Sequence, residues 1–242
     1  MSEETTGKAK VPAIYTSIWA VIPAYNEQRR VREAVRQVKQ YIPNIVVVDD
    51  CSKDRTDKEA ALGGAHVLRH PINRGQGAAL RTGMDYALAQ GAHIIVHFDA
   101  DGQMLASQIP SMIKPILEGR ADIALGSRFI DNSSKIPAMR RFVLKGGILF
   151  THIISGLNLT DTHNGFRAMN RYAADKIQIV QDRYSHASEI LDEIAKHKLR
   201  YVEVPVTTLY NDEIMVAAQA RGQNSLNALK IAARVIWSKL SS

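Results

Sequence analysis

The amino-acid sequence predicts an α/β fold in which a mainly parallel central sheet is flanked by helices. Three observations carry that reading. Short β-branched runs alternate with helical patterns in a βαβαβ rhythm, as parallel sheets require. One of these runs, Ile45-Val46-Val47-Val48, is continuously apolar, as expected of a strand buried on both faces. Polar and small-residue motifs follow successive strands, where open α/β sheets bind their ligands.

The elements can be justified in order. Residues 1–14 read as a mobile tail and residues 18–22 as the first strand. Asn26 is a candidate cap for a helix whose apolar positions Val31, Ala34, Val35 and Val38 share one face. After the strand at 45–48 come a short helix at 55–62 and a strand at 65–68. Residues 75–90 are helical, with Leu80, Met84, Ala87 and Leu88 on one face and Gly91 as a stop. A strand at 94–98, a helix at 107–117 and a strand at 122–125 continue the alternation. Residues 138–157 look helical and unusually apolar. A strand at 166–169, helices at 173–180 and 188–197, and a strand at 201–206 complete the body. Residues 211–223 read as a loop and 225–240 as a last helix. The expected organisation is a tail at 1–14, one catalytic domain at 15–210, and a loop with an amphipathic helix at 211–242.

Composition narrows the function classes. With 242 residues, 45% apolar and 23% charged, the chain suits a globular protein with a sizeable core. The single cysteine, Cys51, excludes an internal disulfide and fits a reducing cytosol. The first ten residues lack the apolar core of a signal peptide. No run approaches the roughly 18 apolar residues that span a bilayer. The net charge of +7 suits anionic partners, and an aromatic content of 6% is too sparse for a base-stacking platform. Phosphorylated small molecules or an anionic membrane surface are therefore favoured over nucleic acid.

The segment Asp99-Ala100-Asp101-Gly102-Gln103 carries the most chemistry. Two carboxylates and an amide oxygen at alternate positions form a nest of hard ligands for Mg²⁺ or Mn²⁺, leaving coordination positions for substrate phosphates. By itself it is also a plausible polar turn. Five further motifs sit at element ends: Val21 to Glu27, Val47 to Thr56, Asn73 to Ala79, Gly126 to Phe129, and Asp161 to Arg167. Six such motifs, expected along one sheet edge, are hard to explain as turns alone. The Asn73 to Ala79 turn is not a P-loop, because it lacks the Gly-Lys-Ser/Thr ending.

Over residues 17–210 these motifs resemble family 2 glycosyltransferases of GT-A fold, in particular the dolichyl-phosphate mannosyltransferases and bacterial polyprenyl-phosphate sugar transferases. The resemblance implies a GT-A nucleotide-diphospho-sugar transferase fold and metal-assisted transfer of a sugar from a nucleotide-sugar, with inversion at the anomeric carbon. It implies that Pro23, Ala24, Tyr25 and Glu27 line the nucleotide pocket. It also implies that Asp49 or Asp50, the latter preferred, binds base or ribose, and that Gly75, with Asn73 and Gly77, admits the nucleotide to the backbone. Asp101 and Gln103 are the expected metal ligands. Asp99 is expected to touch metal, ribose or an intervening water, with Ala100 lining the donor site. Arg128 is expected to stabilise the charge developing on the leaving diphosphate.

The acceptor divides the possibilities. A hydroxyl acceptor needs a base, for which Asp161 and Glu189 are candidates with Asp192 behind them. A lipid phosphate is already anionic and needs cations, for which Arg140, Arg141 and Arg167 are candidates, with His163 also placed toward the acceptor. The preferred acceptor is a polyprenyl phosphate, and the donor a UDP- or GDP-sugar. The apolar stretch at 142–154 and the last helix, flanked by Lys230, Arg234 and Lys239, suit a bilayer interface at the cytoplasmic face, or docking on the body or a second subunit. A sugar nucleotidyltransferase is disfavoured because residues 18–27 contain no glycine. A non-catalytic nucleotide-sugar binder is disfavoured by the intact Asp99, Asp101 and Gln103 set.

Overall fold

The computed structural model describes residues 17–130, 156–162, 164–180 and 186–209. The order is β1 (Ile18–Ala24), α1 (Val31–Lys39), β2 (Asn44–Asp49), α2 (Thr56–Gly63), β3 (His66–Arg69), α3 (Gln76–Ala89), β4 (Ile94–His97), α4 (Ile109–Leu117), β5 (Ile123–Ser127), β6 (Arg167–Asn170), α5 (Arg171–Lys176), α6 (His186–Lys196) and β7 (Tyr201–Pro205). A single 3₁₀ turn, Ala106–Gln108, leads into α4.

Seven strands form one sheet in the order β3-β2-β1-β4-β6-β5-β7. All neighbours run parallel except β6, which is antiparallel to β4 and to β5. The strand order reverses between β1 and β4, which makes their carboxyl ends a topological switch point. Because β6 runs the other way, its amino end lies on the edge where β1, β2, β4 and β5 have their carboxyl ends. The Asp161 to Arg167 motif precedes β6, so a reversed strand brings it to the other five.

Two cores, one on each face, hold the sheet. Along β1, Ile18, Ala20, Ile22 and Ala24 pack on one face with Val31, Val35 and Val38 of α1 and Ile109, Met112 and Ile113 of α4. Trp19 and Val21 pack on the other with Leu80 and Met84 of α3, Ala173 of α5, and Ile190 and Ile194 of α6. Every residue of β1 is buried, as two covered faces demand.

The helix expected at 173–180 is the shorter α5, capped by the Asn170 side chain, which accepts from the Ala173 N–H at 2.8 Å. Asn26 does not cap α1. That helix starts five residues later, and its first turn is closed by the Glu27 carbonyl, which accepts from the N–H groups of Arg30 and Val31. Ser188 lies inside α6 rather than at its start. The apolar stretch at 142–154, the loop at 211–223 and the last helix at 225–240 lie outside the described residues, as does the tail. Among the described residues, no helix is long and apolar enough to cross a membrane.

Candidate active site

The loops after β1 and β2 are laced together. The Asn26 N–H donates to Ser52 Oγ at 2.9 Å, and Asn26 Oδ1 accepts from the Lys53 N–H at 2.8 Å. Asn26 does this at φ 55°, a left-handed conformation that asparagine tolerates. The Glu27 N–H donates to Thr56 Oγ1, and its buried carboxylate pairs with Arg30 at 3.1 Å. Pro23 and Ala24 end β1, and Tyr25 beyond them is 38% exposed, an aromatic face at the mouth of the edge.

Asp49 and Asp50 are both buried and play different parts. Asp49 Oδ1 accepts from the Ser52 N–H at 3.0 Å, and its Oδ2 lies 3.4 Å from Arg69 Nε with no hydrogen bond of its own. Asp50 clamps the turn before α3. Its Oδ1 accepts from the Arg74 N–H at 2.9 Å and sits 2.7 Å from His70 Nδ1. Its Oδ2 accepts from the Gly75 N–H at 2.6 Å. Asn73 donates to the Asp50 carbonyl at 3.1 Å, and Gly75 takes φ 95°, a conformation that suits glycine. The preference for Asp50 as nucleotide ligand thus meets a carboxylate already engaged on both oxygens, whereas Asp49 keeps one oxygen without a hydrogen bond. Arg69 and His70 complete this corner. Neither was singled out from sequence, because nothing in the spacing connects the end of β3 to the end of β2.

The Asp99 motif follows β4. Asp99 Oδ1 accepts from Gln76 Nε2 at 3.0 Å, which ties it to the first residue of α3. Asp101 Oδ1 accepts from the Gln103 N–H at 3.0 Å across Gly102, whose φ is 80°. Gln103 is anchored through its carbonyl, which accepts from the Leu209 N–H at 2.9 Å, and its side-chain nitrogen is buried without a partner. Ala100 is buried between the two aspartates. Among the described residues no trio of His, Cys, Asp and Glu converges on one point. The donor set is two carboxylates and an amide, which fits a hard divalent cation whose remaining ligands come from phosphate and water.

Arg128 follows β5 and is bound to Asp161. Its Nε donates to Oδ2 at 2.6 Å, its Nη2 to Oδ1 at 2.7 Å, and its backbone N–H to Oδ2 at 3.1 Å. Both side chains are buried. Glu203 of β7, which sequence reasoning missed, holds the Asp161 strand end by accepting from the N–H groups of Thr160 and Asp161 at 2.9 and 3.0 Å. Thr160 Oγ1 lies 2.6 Å from Ser127 Oγ at the end of β5.

Arg167 opens β6 and is 2% exposed. It lies within the sheet, between β4 and β5. It pairs in register with His97 of β4 and Leu125 of β5. Burial pulls the guanidinium down to about 10, against the upward pull of Asp99 and Asp161. Burial also keeps the His97 imidazole well below its ordinary value, helped by Arg167 and then His186. Glu189 of α6 accepts from the Val180 N–H at 3.0 Å, which binds the helix to the segment after α5. Arg140, Arg141 and His163 lie outside the described residues.

The fold and edge define a class: a GT-A sugar-transfer scaffold. Glucosyl-3-phosphoglycerate synthase from Mycobacterium tuberculosis, solved with Mn²⁺, uridine diphosphate and phosphoglyceric acid, superposes with a TM-score of 0.65 at 17% identity. The match covers 85% of this chain and 75% of that one. Residues 19–178 match glycosyl transferase family 2, and the chain belongs to that family of glycosyltransferases. It is 37% identical to an uncharacterised protein of Methanocaldococcus jannaschii over 92% of both chains. It is 32% identical to the UDP-N-acetylglucosamine--dolichyl-phosphate N-acetylglucosaminyltransferase of Methanococcus voltae, over 92% of this chain and 96% of that one.

Proposed function

We propose that this glycosyltransferase moves a sugar from a UDP- or GDP-sugar to a polyprenyl phosphate, with inversion, at the cytoplasmic face of a membrane. The observation that carries the reading is the state of Asp161. A hydroxyl acceptor needs a carboxylate to take its proton; of the two candidates, Asp161 already accepts from Arg128 on both oxygens and Glu189 accepts from the Val180 N–H. A phosphate monoester is anionic near neutral pH and attacks without a base. The name of the Methanococcus voltae relative, which includes a dolichyl-phosphate acceptor, supports the same choice.

In this reading the nucleotide lies across the switch point. Tyr25 presents its ring at the mouth, and Asp49 or Asp50 is assigned to base or ribose. The Asp50-clamped turn brings the Gly75 backbone close to the nucleotide, with Gly77 at the start of α3. Asp101 and Gln103, with Asp99, would hold Mg²⁺ or Mn²⁺, as the oxygen donor set suits either. When bound, such a cation offsets charge on the leaving diphosphate. Arg128, held by Asp161, keeps a fixed positive charge beside that site without reorganising. Arg140, Arg141 and His163 are assigned to the acceptor phosphate, and Lys230, Arg234 and Lys239 to anionic head groups.

The test uses the full chain with radiolabelled UDP- and GDP-sugars and Mn²⁺. One arm offers polyprenyl phosphate in detergent or vesicles, and the other offers soluble saccharides. Label in the lipid phase, released by mild acid and made only with lipid present, is the expected result. Full-rate transfer to a soluble hydroxyl without lipid refutes the acceptor assignment.

A further inference from the structure

We propose that Arg167 is the buried counter-ion shared by Asp99 and Asp161, a positioning residue that keeps these two strand-end carboxylates together before any cation arrives. The proposal rests on the metal assignment above and names what balances that site when it is empty.

The backbone register makes the arrangement. Antiparallel pairing sets His97 of β4 opposite Arg167 of β6. Carried two residues on, the same register sets Asp99 opposite Gly165. The structure bears this out: a β-carbon added at Gly165 would lie 2.7 Å from Asp99 Oδ2. Between them the rings of Phe98 and Phe166 meet edge to face at 5.6 Å. Side chains alternate along strands, so His97 and Arg167 share the face that continues toward Asp99. On the other flank Arg167 pairs with Leu125, three residues before Arg128, which holds Asp161.

Charge then decides the role. A fully buried guanidinium is tolerated only when nearby anions offset its lost hydration. The anions acting on it are Asp99 and Asp161. Arg128 is committed to Asp161. Arg167 Nη1 and both ring nitrogens of His97 have no hydrogen-bond partner among the described residues. A divalent cation at Asp99 and Asp101 would be opposed by the fixed charge of Arg167. Arg167 therefore trades metal affinity for carboxylates that are already held together.

The experiment is a charge-balance cycle on the full chain: wild type, Arg167→Met, Asp99→Asn, the double variant, and Arg167→Lys. Thermal unfolding is read without metal, and Mn²⁺ affinity by electron paramagnetic resonance. Asp99→Asn is expected to lower Tm in wild type but to raise it in Arg167→Met, where it removes an unbalanced carboxylate. Arg167→Met is expected to bind Mn²⁺ on the order of tenfold more tightly, and Arg167→Lys to stay near wild type. If Arg167→Met alone fails to fold, the double variant should recover folding. A double variant no better than Arg167→Met, or equal Tm losses from Asp99→Asn in both backgrounds, overturns the proposal, because a packing role gives additive losses. If neither wild type nor Arg167→Met takes up Mn²⁺, the metal assignment fails, and the sign of the Asp99→Asn effect still judges the counter-ion.

Discussion

Arg128 grips Asp161 from both ends of the carboxylate, through Nε at 2.6 Å and Nη2 at 2.7 Å, and adds its own backbone N–H to the same group. Planar guanidinium and carboxylate match in this fork, which a lysine cannot reproduce. The bond joins the end of β5 to the segment leading into β6, so two strands that run in opposite directions are locked at one edge.

Removing either partner strips a buried charge of its two-bond partner. Arg128→Ala should therefore destabilise the fold by about 3–5 kcal/mol, the range for breaking a buried pair. Denaturant unfolding measures this. A loss below about 1 kcal/mol would match an exposed pair instead. Arg128→Ala combined with Asp161→Asn should cost less than the sum of the single variants, since the two side chains share one interaction.

The oxygen set at Asp99, Asp101 and Gln103 predicts metal-dependent donor binding. Nucleotide-sugar with Mn²⁺ should raise the wild-type Tm, because a ligand that binds only the native state stabilises it by mass action. Asp101→Ala should lose most of that rise while its metal-free Tm changes little, since the Asp101 side chain is only partly buried. A nucleotide-sugar shift of equal size with and without Mn²⁺, or one unchanged in Asp101→Ala, would remove this residue from the site.

Acid should act through Asp122. Arg200 donates to this carboxylate from Nη2 at 2.8 Å and Nε at 3.1 Å, its backbone N–H adds a third bond, and Asn170 a fourth. Chiefly through the Arg200 side-chain bonds, the carboxyl is held at about 2 against an ordinary 3.8. A group whose folded value is depressed stabilises the native state above its unfolded value and loses that contribution as pH falls through the folded one. The stability gap between wild type and Asp122→Asn should thus be constant near neutrality and close between 3.8 and about 2. Urea midpoints across that range check it. A gap that widens on acidification has the wrong sign. Added salt should narrow the gap at neutral pH, because Arg200 is largely exposed.

Much of the edge was legible in the sequence because its motifs are contiguous. Asp99 to Gln103 and Asp49 to Asp50 each follow a β-branched run, and such runs announce buried strands. What escaped was contact between motifs. Gln76 bonds Asp99, Glu203 holds the segment at Asp161, and His70 meets Asp50 across separations of 20 to 42 residues. No local periodicity encodes such pairs. Asn26 misled because asparagine serves equally as a helix cap and in a left-handed turn, and here the turn won through its bonds to Ser52 and Lys53. The depth of Arg167 was not legible, because strand depth depends on the neighbours, and those are set by the order β4-β6-β5.

Gly165 tests the link between fold and chemistry most directly. A β-carbon there would come within 2.7 Å of Asp99 Oδ2 and 3.2 Å of Met104 Cε. The methionine end can swing away, but the Asp99 carboxylate is held on its other oxygen by Gln76. Gly165→Ala should therefore push Asp99 out of place, breaking its bond to Gln76 and disturbing the oxygen set that Asp101 and Gln103 complete. Small overpacking in a tight contact costs about 1–3 kcal/mol, so the variant should fold. Its Mn²⁺ affinity and its metal-dependent nucleotide shift should fall at least as much as those of Asp99→Asn. Gly165→Ala combined with Asp99→Ala, which clears the space, should lose less Tm than the sum of the two single variants and should not regain the metal affinity. Were Gly165→Ala to bind Mn²⁺ as the wild type does, the close packing of the 164–166 turn on Asp99 would play no part in shaping the site.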